Sequence, residues 1–290
     1  MPRGVPKSGF RNTKNNIARM MTVRSDVPAE PLVVESDSDI EVKLQERFDV
    51  LSMMTDAAIA GDVRALVVSG PAGLGKSFTV EKALELHDPS EANHRIVKGY
   101  VRAPGLFKLL YQHRQAGKVL VFDDADAIWF DDVSINLLKA VCDSNDKRIV
   151  SYITEGALVD EESAELLPKS FQFDGTIIFI TNHDFDAMID RGDKGAPHMQ
   201  AMMSRAHYID LAMKTTRDYL IRIRQVVRDG LLENIGLDKT GQSDVLAYVE
   251  DNHNKLRELS LRMVLKIGKI RKTNATNWRK IVKITCTKGV

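Results

Sequence analysis

Residues 69–80, SGPAGLGKSFTV, constrain this chain more than any other stretch. The apolar run ALVVS (65–69) leads into three glycines, and the helix-forming FTVEKALEL follows them. A buried strand that ends in a flexible loop and turns into a helix leaves several backbone N–H groups pointing into one small space, and that space suits a phosphate. The residues match the pattern G-x-x-x-x-G-K-[ST] at Gly70, Gly75, Lys76 and Ser77. Pro71, Ala72, Gly73 and Leu74 form the intervening loop, and Phe78 begins the turn beyond it. In this pattern the glycines let the backbone curl around phosphate, the lysine ammonium reaches the β and γ oxygens, and the serine hydroxyl is a ligand for Mg2+. A glycine-rich turn with a chance lysine is the bland alternative. The apolar strand before it and the helix after it argue against that.

From this loop the chain alternates. HRIVKGY (94–100) reads as a strand, PGLFKLLYQHRQ as a helix opened by proline, KVLVFDD as a buried strand ending in acids, and DVSINLLKAVCDS as a helix. TIIFITN (176–182) and HYIDL (207–211) supply further strands, with HMQAMMS helical between them. Such alternation predicts an α/β fold, a parallel sheet sandwiched by helices. Residues 148–175 break the rhythm with two strand-like pieces around an acidic loop, which predicts an inserted hairpin. After residue 211 the strands stop. Three helix-like segments follow and predict a small C-terminal helical lid. The boundaries read as an N-terminal basic arm over 1–40, a nucleotide-binding domain over 41–213, the lid over 214–272 and a basic tail over 273–290.

Composition sets limits on partners. With 290 residues, 43% of them apolar, the chain can bury a sizeable core and add a second domain. Its two cysteines, Cys142 and Cys286, have no partner spacing, so neither a disulfide framework nor a zinc site is expected. No signal peptide or membrane-length apolar run is present, so a cytoplasmic location is expected and no membrane partner. The net charge of +1 hides a segregation: residues 1–25 carry six Lys or Arg and no acid, and residues 259–290 carry nine and no acid. The remaining 26 basic residues face all 40 acidic ones in the middle of the chain. Basic ends on an acidic body point to an interaction surface.

A nucleoside triphosphate site also needs an acid for the metal and a group to orient water. KVLVFDDAD offers Asp123 for Mg2+, acting through its hydration shell, and Asp124 to polarise the attacking water, with Asp126 a nearby competitor. The structural alternative is that these acids cap the helix that follows. Tyr100 at the end of its strand reads as packing, while Trp129 and Phe130 could face a neighbour or a substrate.

Five motifs in order carry a resemblance to the AAA+ ATPases, running from about residue 45 to about 270. Beside the phosphate loop and the acidic strand end, Thr181 and Asn182 resemble the polar sensor-1 position of that family. MMSRAHYIDL resembles its arginine-finger segment, and LSLRMVLKI its sensor-2 helix. The overall run also looks like compact AAA+ proteins of tailed phages, which would place it in a host cytoplasm. The resemblance implies ATP and Mg2+ as cofactors, Asn182 as a sensor near the γ-phosphate, and Arg205 as a finger reaching a neighbouring subunit's nucleotide. It implies Arg262 as the lid sensor, with Arg257 an alternative, and a homo-oligomeric ring, expected to be a hexamer.

For the client, the basic ends favour DNA, with Trp278 available to stack on a base, in a role like that of a helicase loader or clamp loader. A chaperone-like ATPase acting on an acidic protein is the alternative. A small-molecule kinase has little support, because it needs neither a trans-acting finger nor a lid.

Overall fold

The computed structural model of the chain describes residues 35–160 and 164–289. The arm expected over 1–40 therefore lies outside the described residues as far as residue 34. Its last residues, from Asp37, belong to a helix. Asp37–Val290 forms one compact unit, sheet and helices together.

Helix α1 (Asp37–Ala60) buries Ile40, Leu44, Phe48, Leu51, Thr55 and Ala58, spaced by threes and fours along one face. The sheet then alternates with helices. Strand β1 (Ala65–Ser69) is followed by α2 (Lys76–His87), β2 (His94–Lys98) by α3 (Ala103–Gln112), and β3 (Val119–Asp123) by a short 3-10 turn and α4 (Asp132–Val141). Strands β4 (Ile149–Ser151) and β5 (Ser170–Gln172) pair antiparallel as a separate hairpin, the expected insertion. Strand β6 (Thr176–Thr181), helices α5 (Phe185–Asp190) and α6 (Ala196–Met203), and strand β7 (His207–Asp210) complete the sheet. Its order is β2-β3-β6-β1-β7, and every pairing is parallel.

Parallel strands covered on both faces must be apolar throughout, and here each strand sends alternate residues to opposite layers. Val67, Leu120, Phe122, Ile177 and Phe179 enter the core shared with α3, α4 and the hairpin. Leu66, Val68, Val119, Val121, Ile178 and Ile180 enter the core under α1 and α2. Trp129 belongs to the first of these, 2% exposed with its ring 4.8 Å from that of Phe179, so it faces no client, whereas Phe130 is exposed. Tyr100 is also exposed, at 72%, which overturns its reading as a packing residue. Strand β2 stops at Lys98 and Gly99 takes a left-handed φ of 93°, so Tyr100 leaves the sheet instead of packing on it.

Helices α7 (Thr216–Arg228), α8 (Lys239–Asn252), α9 (Leu261–Thr273) and α10 (Trp278–Cys286) follow the sheet and share a third core. A capping box between Thr215 and Asp218 starts α7. The fourth helix corrects the expectation of a basic tail over 273–290. Trp278, Val282 and Cys286 recur at intervals of four and are all buried against the lid, with the Trp278 ring edge-on to Tyr248. Trp278 is 4% exposed and is not available to stack on a base. The basic residues between them, Arg279, Lys280 and Lys283, stay on the outside. Among the described residues no helix is long and apolar enough to cross a membrane.

Because Trp278 is a core residue, Trp278→Ala should cost about 3–5 kcal/mol of stability. Chemical denaturation should show the loss directly. A surface stacking residue would leave the unfolding midpoint nearly unchanged.

Candidate functional site: a phosphate loop with two acids and a lid

The loop between β1 and α2 sits at the carboxyl ends of the parallel strands, where α/β sheets bind ligands. Two of its glycines are there for space. A Cβ on Gly70 would stand 3.0 Å from Cβ of Leu211, which follows β7, and one on Gly73 would stand 2.8 Å from Cβ of Ser260. Ser260 caps α9 by accepting from the Met263 N–H at 3.1 Å, and the next N–H, of Leu261, donates to the Gly73 carbonyl at 2.9 Å. The phosphate loop thus touches the lid directly.

Lys76 is 5% exposed. Its ammonium donates to the carbonyls of Gly70 and Pro71, the latter at 2.9 Å, and to Asn182 Oδ1 at 3.0 Å. Burial pushes its pKa down to about 8, against the pull of Asp124, Asp123 and Asp126. Ser77 Oγ donates to Asp123 Oδ1 at 2.8 Å. These are hard oxygen donors, one hydroxyl beside one carboxylate, and they fit Mg2+, which binds through few protein ligands and completes its shell with water and phosphate oxygens. Among the described residues no cluster of three His, Cys, Asp or Glu could hold an ion unaided.

Asp123 and Asp124 are adjacent, and on a regular strand they would point to opposite faces. Asp124 instead takes a left-handed φ of 53°, a conformation that aspartate tolerates better than most residues. Its carboxylate accepts from Asn182 Nδ2 at 2.7 Å, so one asparagine bridges Lys76 and Asp124. Asp126 has a different setting. It accepts from Thr181 Oγ1 at 2.6 Å and faces His183 Nε2 at 3.5 Å. Between the two competitors for the water, Asp124 lines the loop's cavity and Asp126 does not.

That cavity, about 660 Å³, runs from residues 72–79 of the loop to the lid. Arg262, in the first turn of α9, lines it. Arg257 does not; its backbone N–H donates to the Cys286 carbonyl, which pairs it with the end of α10. Arg205 also lies away from the cavity. It is exposed just after α6, with Nη1 donating to the Ala201 carbonyl at 2.8 Å. Phe78 lines the cavity and is itself 66% exposed.

Two cations here were not legible beforehand. Arg222 of α7 lines the cavity while 8% exposed, stacked 3.6 Å over the Phe48 ring of α1 and donating to Gln225 Oε1 at 2.7 Å. Burial lowers its pKa to about 10. Lys98, at the end of β2, reaches Asp123 Oδ2 at 3.2 Å. Arg222 stands between Ile221 and Ile223 in an amphipathic helix, and Lys98 closes an ordinary strand, so neither carries a sequence signal.

The chain is 35% identical over 252 residues to a protein of Enterobacteria phage T4 described as an uncharacterized 36.7 kDa protein from the nrdC-mobD intergenic region, with 86% of this chain and 76% of that protein covered. The two belong to one family. No protein-family model matches the sequence. Among solved structures the chain is similar to RuvB of Thermotoga maritima, a Holliday junction branch migration motor, at 12% identity and a TM-score of 0.47, covering 86% of this chain and 69% of RuvB. It is also similar to NtrX of Brucella abortus in complex with ATP, at 15% identity and a TM-score of 0.45, covering 83% of this chain and about half, 49%, of NtrX. The fold itself is read from the chain's own topology, a five-stranded parallel sheet with the phosphate loop after β1, helices on both faces and a helical C-terminal region.

The lowered pKa of Lys76 has a measurable consequence. Phosphate charge favours the protonated ammonium, so its pKa should rise when nucleotide binds. Above about pH 8, where the free lysine has lost its proton, ATP binding should take up a proton and weaken as pH climbs. Calorimetry at pH 8.5 in two buffers of different ionisation enthalpy should reveal that uptake.

Proposed function

We propose that this protein is an ATPase that binds ATP with Mg2+ at the loop, hydrolyses it in a homo-oligomeric ring and uses the cycle to remodel a client associated with DNA. The observation that carries the reading is the meeting of Lys76 and Ser77 with Asp123, Asp124 and Asn182. They come from three separate segments, and each pair of segments is joined by a hydrogen bond: Lys76 to Asn182, Asn182 to Asp124, and Ser77 to Asp123.

Lys76 would release its loop carbonyls and take the β and γ oxygens, for which its charge is suited. Ser77 and Asp123 would hold Mg2+, which when bound neutralises charge developing on the phosphoryl oxygens. Asp124 would accept hydrogen bonding from the attacking water, held in place by Asn182, and Asn182 would report the γ-phosphate to β6. Arg262 would close the lid over the phosphates, its planar guanidinium bridging oxygens. Arg205, exposed and clear of its own cavity, is free to complete the site of an adjacent subunit in a ring such as a hexamer.

DNA is favoured as the associated polymer by the exposed Lys266, Lys269, Lys280 and Lys283 on α9 and α10, in a stretch with no acid. The basic residues of 1–25 add to that charge. A phage relative fits work in a host cytoplasm. A second reading, remodelling of a protein client, is favoured by the exposure of Tyr100 at the end of β2, where an aromatic could grip a threaded chain.

ATPase rates should rise on adding single-stranded or duplex DNA. Stimulation by an unfolded protein and by neither DNA would favour the second reading. Lys76→Ala should lose tight ATP binding, and Asp123→Asn should keep nucleotide but lose Mg2+-dependent turnover. If both hydrolyse ATP like the parent, the site is wrongly assigned.

Arg205→Ala should bind ATP normally yet turn over roughly 10³–10⁵-fold more slowly, the usual contribution of an arginine finger. Mixing it with Asp124→Asn should restore activity, because Arg205→Ala subunits keep an intact site that the other variant's arginine can complete. Co-assembled mixtures that stay inactive would remove the trans-acting role.

A further inference from the structure

Both carboxylate oxygens of Asp123 are engaged. Oδ1 accepts from Ser77 Oγ at 2.8 Å, and Oδ2 meets the Lys98 ammonium at 3.2 Å. Lys98 is the register partner of Asp123 across the parallel β2–β3 pair, so the sheet itself delivers it there. The same ammonium donates to Glu81 Oε1 at 2.6 Å. Glu81 lies four residues beyond Ser77 on α2, on the same side of that helix. One lysine therefore spans the acid of β3 and the helix that carries the phosphate loop. Asp123 is almost closed to solvent, its side chain 6% exposed, whereas the Lys98 side chain is 58% exposed. The hydrogen bond to Glu81 raises the Lys98 pKa above its ordinary value, so the group is charged at any physiological pH. Lys76 lines the cavity at the phosphate loop, and Lys98 does not.

We propose that Lys98 competes with the metal for Asp123, so that an internal cation sets the concentration of Mg2+ the site needs. The inference rests on the ATP–Mg2+ reading above. A divalent ion at Ser77 Oγ would draw on the Asp123 oxygens through its water shell, and one of those oxygens is already spent on an ammonium. If Lys98 stays, the ion sits near a like charge; if it swings out to solvent, the ion must displace it. Either course weakens metal binding. Glu81 acts in the opposite direction, because it draws the ammonium away from Asp123 and neutralises part of its charge. Removing the lysine and removing the glutamate should therefore have effects of opposite sign, which loss of a mere structural clip would not.

The test measures metal affinity rather than turnover. Mn2+ serves as the probe for Mg2+, with free Mn2+ read by electron paramagnetic resonance in the presence of full-length protein and a non-hydrolysable ATP analogue. Lys98→Met should bind Mn2+ about three- to tenfold more tightly than the parent, the scale for removing one half-exposed like charge beside a divalent ion. Glu81→Gln should bind it more weakly, and Lys98→Arg should stay close to the parent. Unchanged or weaker Mn2+ binding in Lys98→Met, or tighter binding in Glu81→Gln, would overturn the proposal. If Lys98→Met fails to fold, the sign of the Glu81→Gln shift decides. Binding of the analogue without metal is measured alongside. A parent protein that binds no analogue would overturn the ATP reading and this inference together, whereas normal nucleotide binding with equal Mn2+ affinity in every variant would overturn this inference alone.

Discussion

A lysine ammonium held at 5% exposure is expensive unless its donors are satisfied, and much of the site follows from how Lys76 meets that demand. Two of its hydrogen bonds go to carbonyls of its own loop, which holds the loop curled, and the third goes to Asn182 beyond β6. That third bond makes the asparagine a bridge, because its amide nitrogen then points at Asp124. The loop, the acidic end of β3 and the residue after β6 are thereby joined by hydrogen bonds. Lys76 is the buried cation of that unit, so losing one of its acceptors leaves an ammonium donor out of reach of water. Anionic oxygens arriving at the loop can take over the ammonium, and the same exchange would release Asn182.

The lid is coupled to this unit through backbone. Leu261 N–H donates to the Gly73 carbonyl, and Ser260 packs where a Gly73 side chain would stand. Arg262, the next residue, is brought to the cavity by that contact. On the far side, α7 is held against α1 by Arg217 and Arg224 on Asp37, by Arg228 on Glu41 and by Gln225 on Gln45. These groups are mostly exposed, and such pairs contribute little stability each. Two members of the seam, Gln225 and Arg222, are buried. The face of Arg222 lies on Phe48, and its Nε has no hydrogen-bond partner among the described residues. An unsatisfied buried donor is a local cost, and it sits at the junction of lid and sheet, where a change in lid position would be felt.

Charge is distributed by function rather than by fold. Lys98 and Lys76 stand within the acidic centre, while the lysines of α9 and α10 face outward on the far end of the chain. Helix α10, which carries two of those lysines, is anchored in the lid core by Trp278, Val282 and Cys286.

By itself the sequence determined the elements whose chemistry is local. The glycine-rich loop between an apolar strand and a helix, the acids ending a five-residue apolar strand and the polar end of TIIFIT each depend on residues adjacent in the chain. Their alternation also implied the parallel sheet. Tertiary structure alone decided the pairings between distant segments. It chose Asp124 over Asp126 as the acid at the cavity, since a left-handed residue reverses the strand's alternation and Thr181 claims the other carboxylate. It put Arg262 and not Arg257 at the cavity, because the cap at Ser260 docks on Gly73. It placed Lys98 on Asp123 through the β2–β3 register, a relation between residues 25 positions apart that no local pattern records. It also folded the basic C-terminal stretch, whose Trp278, Val282 and Cys286 form a buried face only because a lid core exists to receive them.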